Sequence, residues 1–341
     1  VTQRMRALVW HGVHDLRLEE VPVPAIGAKE VLVQVQYAGI CATDQEIFNG
    51  QYPYDAPYIP GHEITGTIAK IGEGVEHLKV GDRVVIDPAI PCETCRSCRT
   101  GRPEFCLHYR ELGINVDGGW AEYVKAPARC AYAIPDSLSN EAAAVFEPLV
   151  CPFGAAEAAG VHTGDHVLII GDGPAAMYFV QIVRMMGAAS ISVSYKLASR
   201  IEELRRYGAI QFAESGSILE LADTAPYREH SGFDLVIDAV GYSETVKRAV
   251  ELVRVGGRII LYGLKEEETE RFPHREIILK NLTIYGRTNA PSVWVKAIES
   301  VGNHVLHIDD IADRVILPHE TAEVLASKQW SWKKCIMQWN N

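Results

Sequence analysis

The rhythm of hydrophobic positions changes near residue 153. Before it, apolar and β-branched residues come in short runs: Arg6-Ala-Leu-Val-Trp10, Val31-Leu-Val-Gln-Val-Gln-Tyr37, Thr67-Ile-Ala-Lys-Ile71 and Arg83-Val-Val-Ile86. Turn residues separate them, as at Gly72-Glu-Gly74 and Gly81-Asp82, which predicts short strands joined by tight turns. After it, apolar runs alternate with helical stretches. His166-Val-Leu-Ile-Ile170 reads as a buried strand followed by glycines and a helix ending near Gly187. Ser190-Ile-Ser-Val-Ser194 precedes a helix from Ser199 to Tyr207; Asp234–Asp238, a helix over Ser243–Leu252, Arg258–Tyr262 and Leu282-Thr-Ile-Tyr285 continue the pattern. That alternation predicts a parallel sheet wrapped by helices. The fold class is therefore α/β, a doubly wound parallel-sheet domain beside a β-rich one.

A chain of 341 residues leaves room for about two domains at roughly 100–200 residues each. Hydrophobic residues make up 48% and charged residues 23%, a balance that buries a core without staples. The net charge, 33 − 44 = −11, argues against nucleic acid or an anionic membrane as partner. No apolar run approaches the ~20 residues of a membrane span, and the first residues lack the apolar stretch of a secretion signal. The expectation is a cytoplasmic protein.

Four of the eight cysteines form Cys92-x2-Cys95-x2-Cys98-x7-Cys106. In a large chain such a cluster reads as metal binding, and four thiolates close a tetrahedral structural zinc site. An iron–sulfur reading shares the first two gaps, but its last gap is three residues followed by Pro; here it is seven, followed by Leu107.

Gly171-Asp-Gly173-Pro174-Ala-Ala176 follows a predicted strand and opens a predicted helix, the context of a dinucleotide fingerprint. Gly171 permits the turn, Gly173 lets the backbone approach a pyrophosphate, and the small Ala176 lets the helix pack closely. The ribose-reading acid is expected about 20 residues on. The second strand instead ends Ser194-Tyr195-Lys196, with no acid before Glu202. With Lys196 and Arg200 nearby, this favours NADP over NAD; the plain alternative is that both are solvated charges.

Cys41-Ala-Thr43-Asp44, Gly61-His62-Glu63 and Glu147-Pro148 each have an ordinary structural reading. Together they offer one sulfur, one imidazole and two carboxylates, a set suited to a catalytic zinc with an open position.

These motifs, with Asp117-Gly-Gly-Trp-Ala-Glu-Tyr123, give the chain a resemblance to the zinc-dependent medium-chain dehydrogenases/reductases along essentially its whole length. The resemblance implies a GroES-like catalytic domain, residues 1–152 and 288–341, with a zinc lobe at about 90–108. Residues 153–287 would form a Rossmann domain inserted between. Glu147-Pro-Leu149 looks like the sorbitol and polyol dehydrogenase branch. Carried over, Cys41, His62 and Glu147 match catalytic-zinc positions, and Glu63 matches a carboxylate that ligates directly in some members and supports from behind in others. Thr43 matches the hydroxyl that passes the substrate proton outward, and Asp44 supports the metal. Gly241 and Gly263, at strand ends, would let the cofactor approach. The implied protein is a homodimer or homotetramer with two zinc ions per chain and NAD(P), oxidising a small hydroxylated substrate.

Two departures stand out. Many relatives carry His two positions after the Thr-Asp pair, where this chain has Glu46. The polyol branch commonly has His after Glu-Pro-Leu, where this chain has Cys151, and the Arg-Tyr pair associated with sorbitol recognition is missing. Arg287 and Asn289 read either as hydrogen-bonding partners of a hydroxyl-rich substrate or as caps of the following helix. Two other functions stay open: a threonine-type amino-alcohol dehydrogenase and a non-catalytic nicotinamide-binding redox sensor.

Overall fold

The computed structural model describes all residues except 1, 2, 53, 225, 226, 229, 230, 266, 267, 269, 328–331 and 341. The chain divides into two compact units, Val1–Pro148 with Trp294–Asn341, and Leu149–Val293.

The first unit is organised around the strand Glu30–Ile40, in which Val31, Val33, Val35 and Ala38 are fully buried. This strand pairs antiparallel with Ile64–Ile71, with Tyr123–Pro127 and with Lys334–Gln338. It belongs to a seven-stranded sheet that runs Ala312–Ile316, Lys334–Gln338, Glu30–Ile40, Ile64–Ile71, Arg83–Ile86, Ala131–Ala133, with Tyr123–Pro127 joining at its centre. β-branched side chains suit such a half-buried pleated surface. The register shifts twice along the central pairing, between Leu32 and Val33 and between Val35 and Tyr37. A separate hairpin joins Arg4–Gly12 to Asp15–Pro22. Its second strand, Asp-Leu-Arg-Leu-Glu-Glu-Val-Pro, alternates polar and apolar residues at its start, and Leu16 and Val21 pack against the core.

The second unit holds a six-stranded parallel sheet ordered Gln211–Glu214, Ser190–Tyr195, His166–Ile170, Phe233–Asp238, Val253–Leu261, Thr283–Gly286. In chain order this is 3-2-1-4-5-6, the Rossmann arrangement. The two central strands are buried on both faces, which is why they appear as continuous apolar runs. The strand order reverses between His166–Ile170 and Phe233–Asp238, and a crevice opens at the carboxyl ends of such a pair. Buried Arg258 bridges Asp165 at 2.6 Å, fastening the fifth strand to the loop before the first.

Among the described residues, no helix is long and apolar enough to cross a membrane.

Candidate functional site

The four-cysteine segment loops out between the paired strands Ala89–Ile90 and Arg110–Glu111. All four sulfurs lie within 4.8 Å of one another. Cys95 Sγ is 3.5 Å from Cys98 Sγ and 4.0 Å from Cys106 Sγ. Four sulfurs about 2.3 Å from one zinc ion would be about 3.8 Å apart, so the set is spaced for a metal. Main-chain N–H groups aim at it: Cys92 donates to Cys106 Sγ at 3.2 Å, Cys95 to Cys92 Sγ at 3.3 Å, and His108 to Cys106 Sγ at 3.3 Å. Bonds from Thr94 and Cys95 hold Cys92 down to about 5, whereas burial and neighbouring thiols push Cys98 up to about 12. A bound dication would let all four thiols ionise together.

The second cluster is assembled from distant segments. Cys41 precedes the helix Ala42–Phe48 and is the residue that caps it. Asp44, in the first turn, accepts the Cys41 N–H at 2.8 Å through Oδ2 and brings Oδ1 to 3.5 Å from His62 Nδ1. Such a carboxylate–imidazole contact orients a metal-ligating histidine. Thr43 Oγ1 lies 3.8 Å from the Cys41 sulfur. Donor atoms of Cys41, His62 and Glu63 all lie within 4.8 Å of one another.

Glycines make room for this packing. Gly61 has φ +93°, and a Cβ there would strike Trp120 Cδ1 at 2.1 Å. A Cβ on Gly39 would come within 1.7 Å of Glu63 Oε2. The Asp117–Trp120 turn clamps the His62 segment: Gly119 donates to Gly61 O at 2.8 Å, and Trp120 Nε1 to Gly39 O at 3.2 Å.

Three residues without a sequence signal complete the pocket. Lys334, on the strand Lys334–Gln338, forms a buried ion pair with Glu63 Oε1. Burial opposes its charge, but Glu63 and Cys41 hold the ammonium protonated and raise it above its ordinary value. Glu111 is raised by burial, with the His62 charge opposing, and Tyr109 is raised by burial and by Glu111. Glu147 opens the helix Glu147–Ala159 and lies outside the tight three-residue set. Burial pushes it up to about 8; His62 and Lys334 oppose, Glu63 and Glu111 add. His62 is disfavoured as a cation by burial, yet Asp44 and Cys41 carry it well above its usual value.

Carboxylates and a thiol thus crowd a pocket whose nearby cations are His62 and Lys334. Glu63 Oε2 and His62 Nδ1 are buried without a hydrogen-bond partner among the described residues. Unpartnered buried donor atoms, with sulfur, imidazole and carboxylate in reach of one point, fit a zinc ion.

In the second unit, Gly171 (φ +120°) ends the first strand, and Gly173 caps the helix Pro174–Met185, with Pro174 at its first turn. Ala176 is fully buried against the sheet. A Cβ on Gly173 would meet only Arg200 Nη1, at 4.0 Å, which leaves the turn open to a ligand. Gly241 and Gly263 are required by each other: a Cβ on Gly241 would lie 2.2 Å from Gly263 O, and one on Gly263 2.1 Å from the Val240 carbonyl carbon. Buried Asp238 fixes that turn, accepting N–H groups of Val240 and Gly241 at 3.0 and 3.1 Å. Tyr195 ends the second strand; Arg200 lies 3.7 Å from the Asp172 carboxylate rather than standing alone. Arg287 donates to the Asn289 carbonyl at 3.2 Å.

A Rossmann sheet together with a GroES-like β domain that carries two clusters of metal-ligating side chains defines a zinc-dependent dehydrogenase architecture. Residues 27–136 match the family described as alcohol dehydrogenase GroES-like domain, and residues 175–302 match the zinc-binding dehydrogenases. A sorbitol dehydrogenase of Bacillus subtilis is 30% identical over 90% of this chain and 88% of its own length. Among solved structures, a zinc-binding dehydrogenase from Sinorhizobium meliloti bound to NADP is 30% identical, with a TM-score of 0.91 over 98% of this chain and 99% of that one. An alcohol dehydrogenase (rspB) of Escherichia coli complexed with NADH is 27% identical, with a TM-score of 0.89 over 98% and 99%. The chain belongs to the zinc-containing medium-chain alcohol dehydrogenases, oxidoreductases that act on CH–OH groups.

Proposed function

We propose that the protein is a polyol or sugar-alcohol dehydrogenase that oxidises a secondary alcohol with a nicotinamide cofactor. The observation that carries this reading is the pocket at Cys41, His62 and Glu63. Its donor atoms lie within 4.8 Å of one another, and Glu63 Oε2 is buried there without a hydrogen-bond partner among the described residues. A protein that only senses nicotinamide has no use for such a site. The likeness to sorbitol dehydrogenase supports the polyol class.

Cys41, His62 and Glu63 would hold the catalytic zinc, with Glu147 beside it as a further carboxylate ligand. Cys92, Cys95, Cys98 and Cys106 would hold the structural one. The metal, when bound, supplies a Lewis acid that acidifies a substrate hydroxyl, and the nicotinamide accepts the hydride. Asp44 keeps the His62 ring oriented, and Lys334 anchors Glu63 through Oε1 so that Oε2 faces the site. Thr43, partly exposed next to the Cys41 sulfur, takes the proton from the substrate hydroxyl at Oγ1 and passes it outward. Glu46, on the same short helix, stands where the relay continues in relatives. Gly171, Gly173, Pro174 and Ala176 would receive the pyrophosphate at the helix N-terminus, with Tyr195, Lys196 and Arg200 on the adenosine side.

The test is a panel of polyols, sugars and amino alcohols, followed by nicotinamide absorbance, together with zinc analysis. Turnover of polyols with two zinc ions per chain supports the proposal. Turnover confined to threonine-like amino alcohols would move the protein to that branch. One zinc that is lost with Cys95→Ser but not with Cys41→Ser would indicate a binder.

A further inference from the structure

Asp172 stands between the two glycines of the first strand-to-helix turn, a position the fingerprint leaves unspecified. Its side chain is buried and reaches across to the loop that follows the strand Ser190–Tyr195. There Oδ2 accepts the N–H of Lys196 at 2.9 Å and that of Leu197 at 2.7 Å. Arg200 Nη1 lies 3.7 Å from Oδ1 and donates to the Asp172 carbonyl at 3.0 Å. Two convergent main-chain N–H groups and a guanidinium make an anion nest. The anion seated in it is the protein's own carboxylate.

The nest lies at the carboxyl end of the second strand, where a Rossmann fold meets the adenosine ribose. We infer that Asp172 decides between the two nicotinamide cofactors, filling the place a 2′-phosphate would need and so selecting NAD. The inference rests on the reading of the protein as a nicotinamide-dependent dehydrogenase. A phosphomonoester carries about −1.5 to −2 charges at neutral pH and needs several donors. Here both amides already serve Asp172, Arg200 is turned to it, and a carboxylate at the same spot repels the phosphate. A neutral 2′-hydroxyl meets no such barrier and can donate to Oδ1. The acid missing at Tyr195 is thus supplied by the turn before it, 24 residues upstream of Lys196. This reverses the preference for NADP drawn from Lys196 and Arg200: the Lys196 main-chain N–H and the Arg200 charge are already matched by Asp172.

Equilibrium binding of NADH and NADPH to the zinc-loaded full chain, read by calorimetry without substrate, tests this. The unaltered protein is expected to bind NADH at least about 30-fold more tightly than NADPH, given like-charge repulsion. Asp172→Asn, of the same shape but uncharged, should narrow that ratio by about 10-fold or more through a gain in NADPH affinity. Asp172→Ser, which vacates the nest, should narrow it as well. Adenosine 2′-monophosphate, used as a probe, should bind the variants better than the parent, and adenosine 5′-monophosphate should not. Equal affinity of the unaltered protein for both cofactors overturns the inference, as does an unchanged ratio in both variants; either result leaves the dehydrogenase reading standing. Failure to bind either cofactor overturns both. Should a variant fail to fold, the ratio measured on the unaltered protein still decides.

Discussion

The four-cysteine lobe draws every donor from the fifteen residues Cys92 to Cys106 and braces the sulfurs with N–H groups of that segment and of His108, two residues beyond it. The pocket around His62 takes its sulfur from the start of one helix, its imidazole and carboxylate from the edge of a strand, and its counter-charge from Lys334, 271 residues beyond Glu63. In the lobe, spacing alone brings the ligands together. In the pocket, the sheet does so, and glycine contacts set the fit to fractions of an ångström. Metal binding is a local property in the first case and a property of the finished fold in the second.

Substitutions can separate the two. The largest effect belongs to Cys41→Ser, which should reduce zinc from two ions per chain to one and turnover by about 10³-fold or more. Gly39→Ala should do the same without replacing a ligand, because its Cβ would fall 1.7 Å from Glu63 Oε2 and displace that carboxylate. Metal analysis of both proteins checks this, and retention of two zincs in Gly39→Ala would break the comparison.

Next is Lys334→Met. Removing one member of a buried ion pair costs about 3–5 kcal/mol. The expected outcome is a melting temperature lowered by several degrees in the metal-free protein, and by less once zinc compensates Glu63. Asp44→Asn should weaken metal affinity at the pocket by about 10–100-fold, as loss of a partner behind a ligand commonly does. Competition with a chelator measures it, and the lobe zinc should remain.

A further effect concerns pH and the strand leading into the lobe. Burial raises Asp87 to about 7, although it accepts the Ala89 N–H at 3.0 Å. The folded state therefore keeps a proton that the unfolded chain releases near the ordinary value of 3.8. Stability from this group falls as pH rises from about 4 to 7, by at most about 1.4 kcal/mol per pH unit. Asp87→Asn should flatten that slope in melting curves recorded across the window.

The same contrast explains what was legible in the sequence. The central strands of the parallel sheet, the glycine turn at Gly171 and the cysteine lobe all follow from patterns within about twenty residues. The edge strand Gln211–Glu214 carries no such pattern, because its partner strand holds it in place. Lys334 is an ordinary lysine in sequence; only its register beside Glu30–Ile40 brings it to Glu63. Gly241 and Gly263 read as cofactor glycines, but their mutual approach already demands them. Asp172 was hidden for a related reason: it lies in the glycine turn, whereas the acid that reads the ribose is sought after the next strand.

The distance along the chain between Glu63 and Lys334 also imposes an order on biosynthesis. A ribosome completes Cys106 long before Lys334, so the lobe can take up its ion while most of the chain is still unmade. The buried carboxylate of Glu63 waits 271 residues for its counter-charge. Until the strand Lys334–Gln338 docks, the pocket is open at one side and carries one more unmatched negative charge. Two zinc ions on one polypeptide would therefore be acquired at different moments, the one in the lobe first and the buried one at the close of folding.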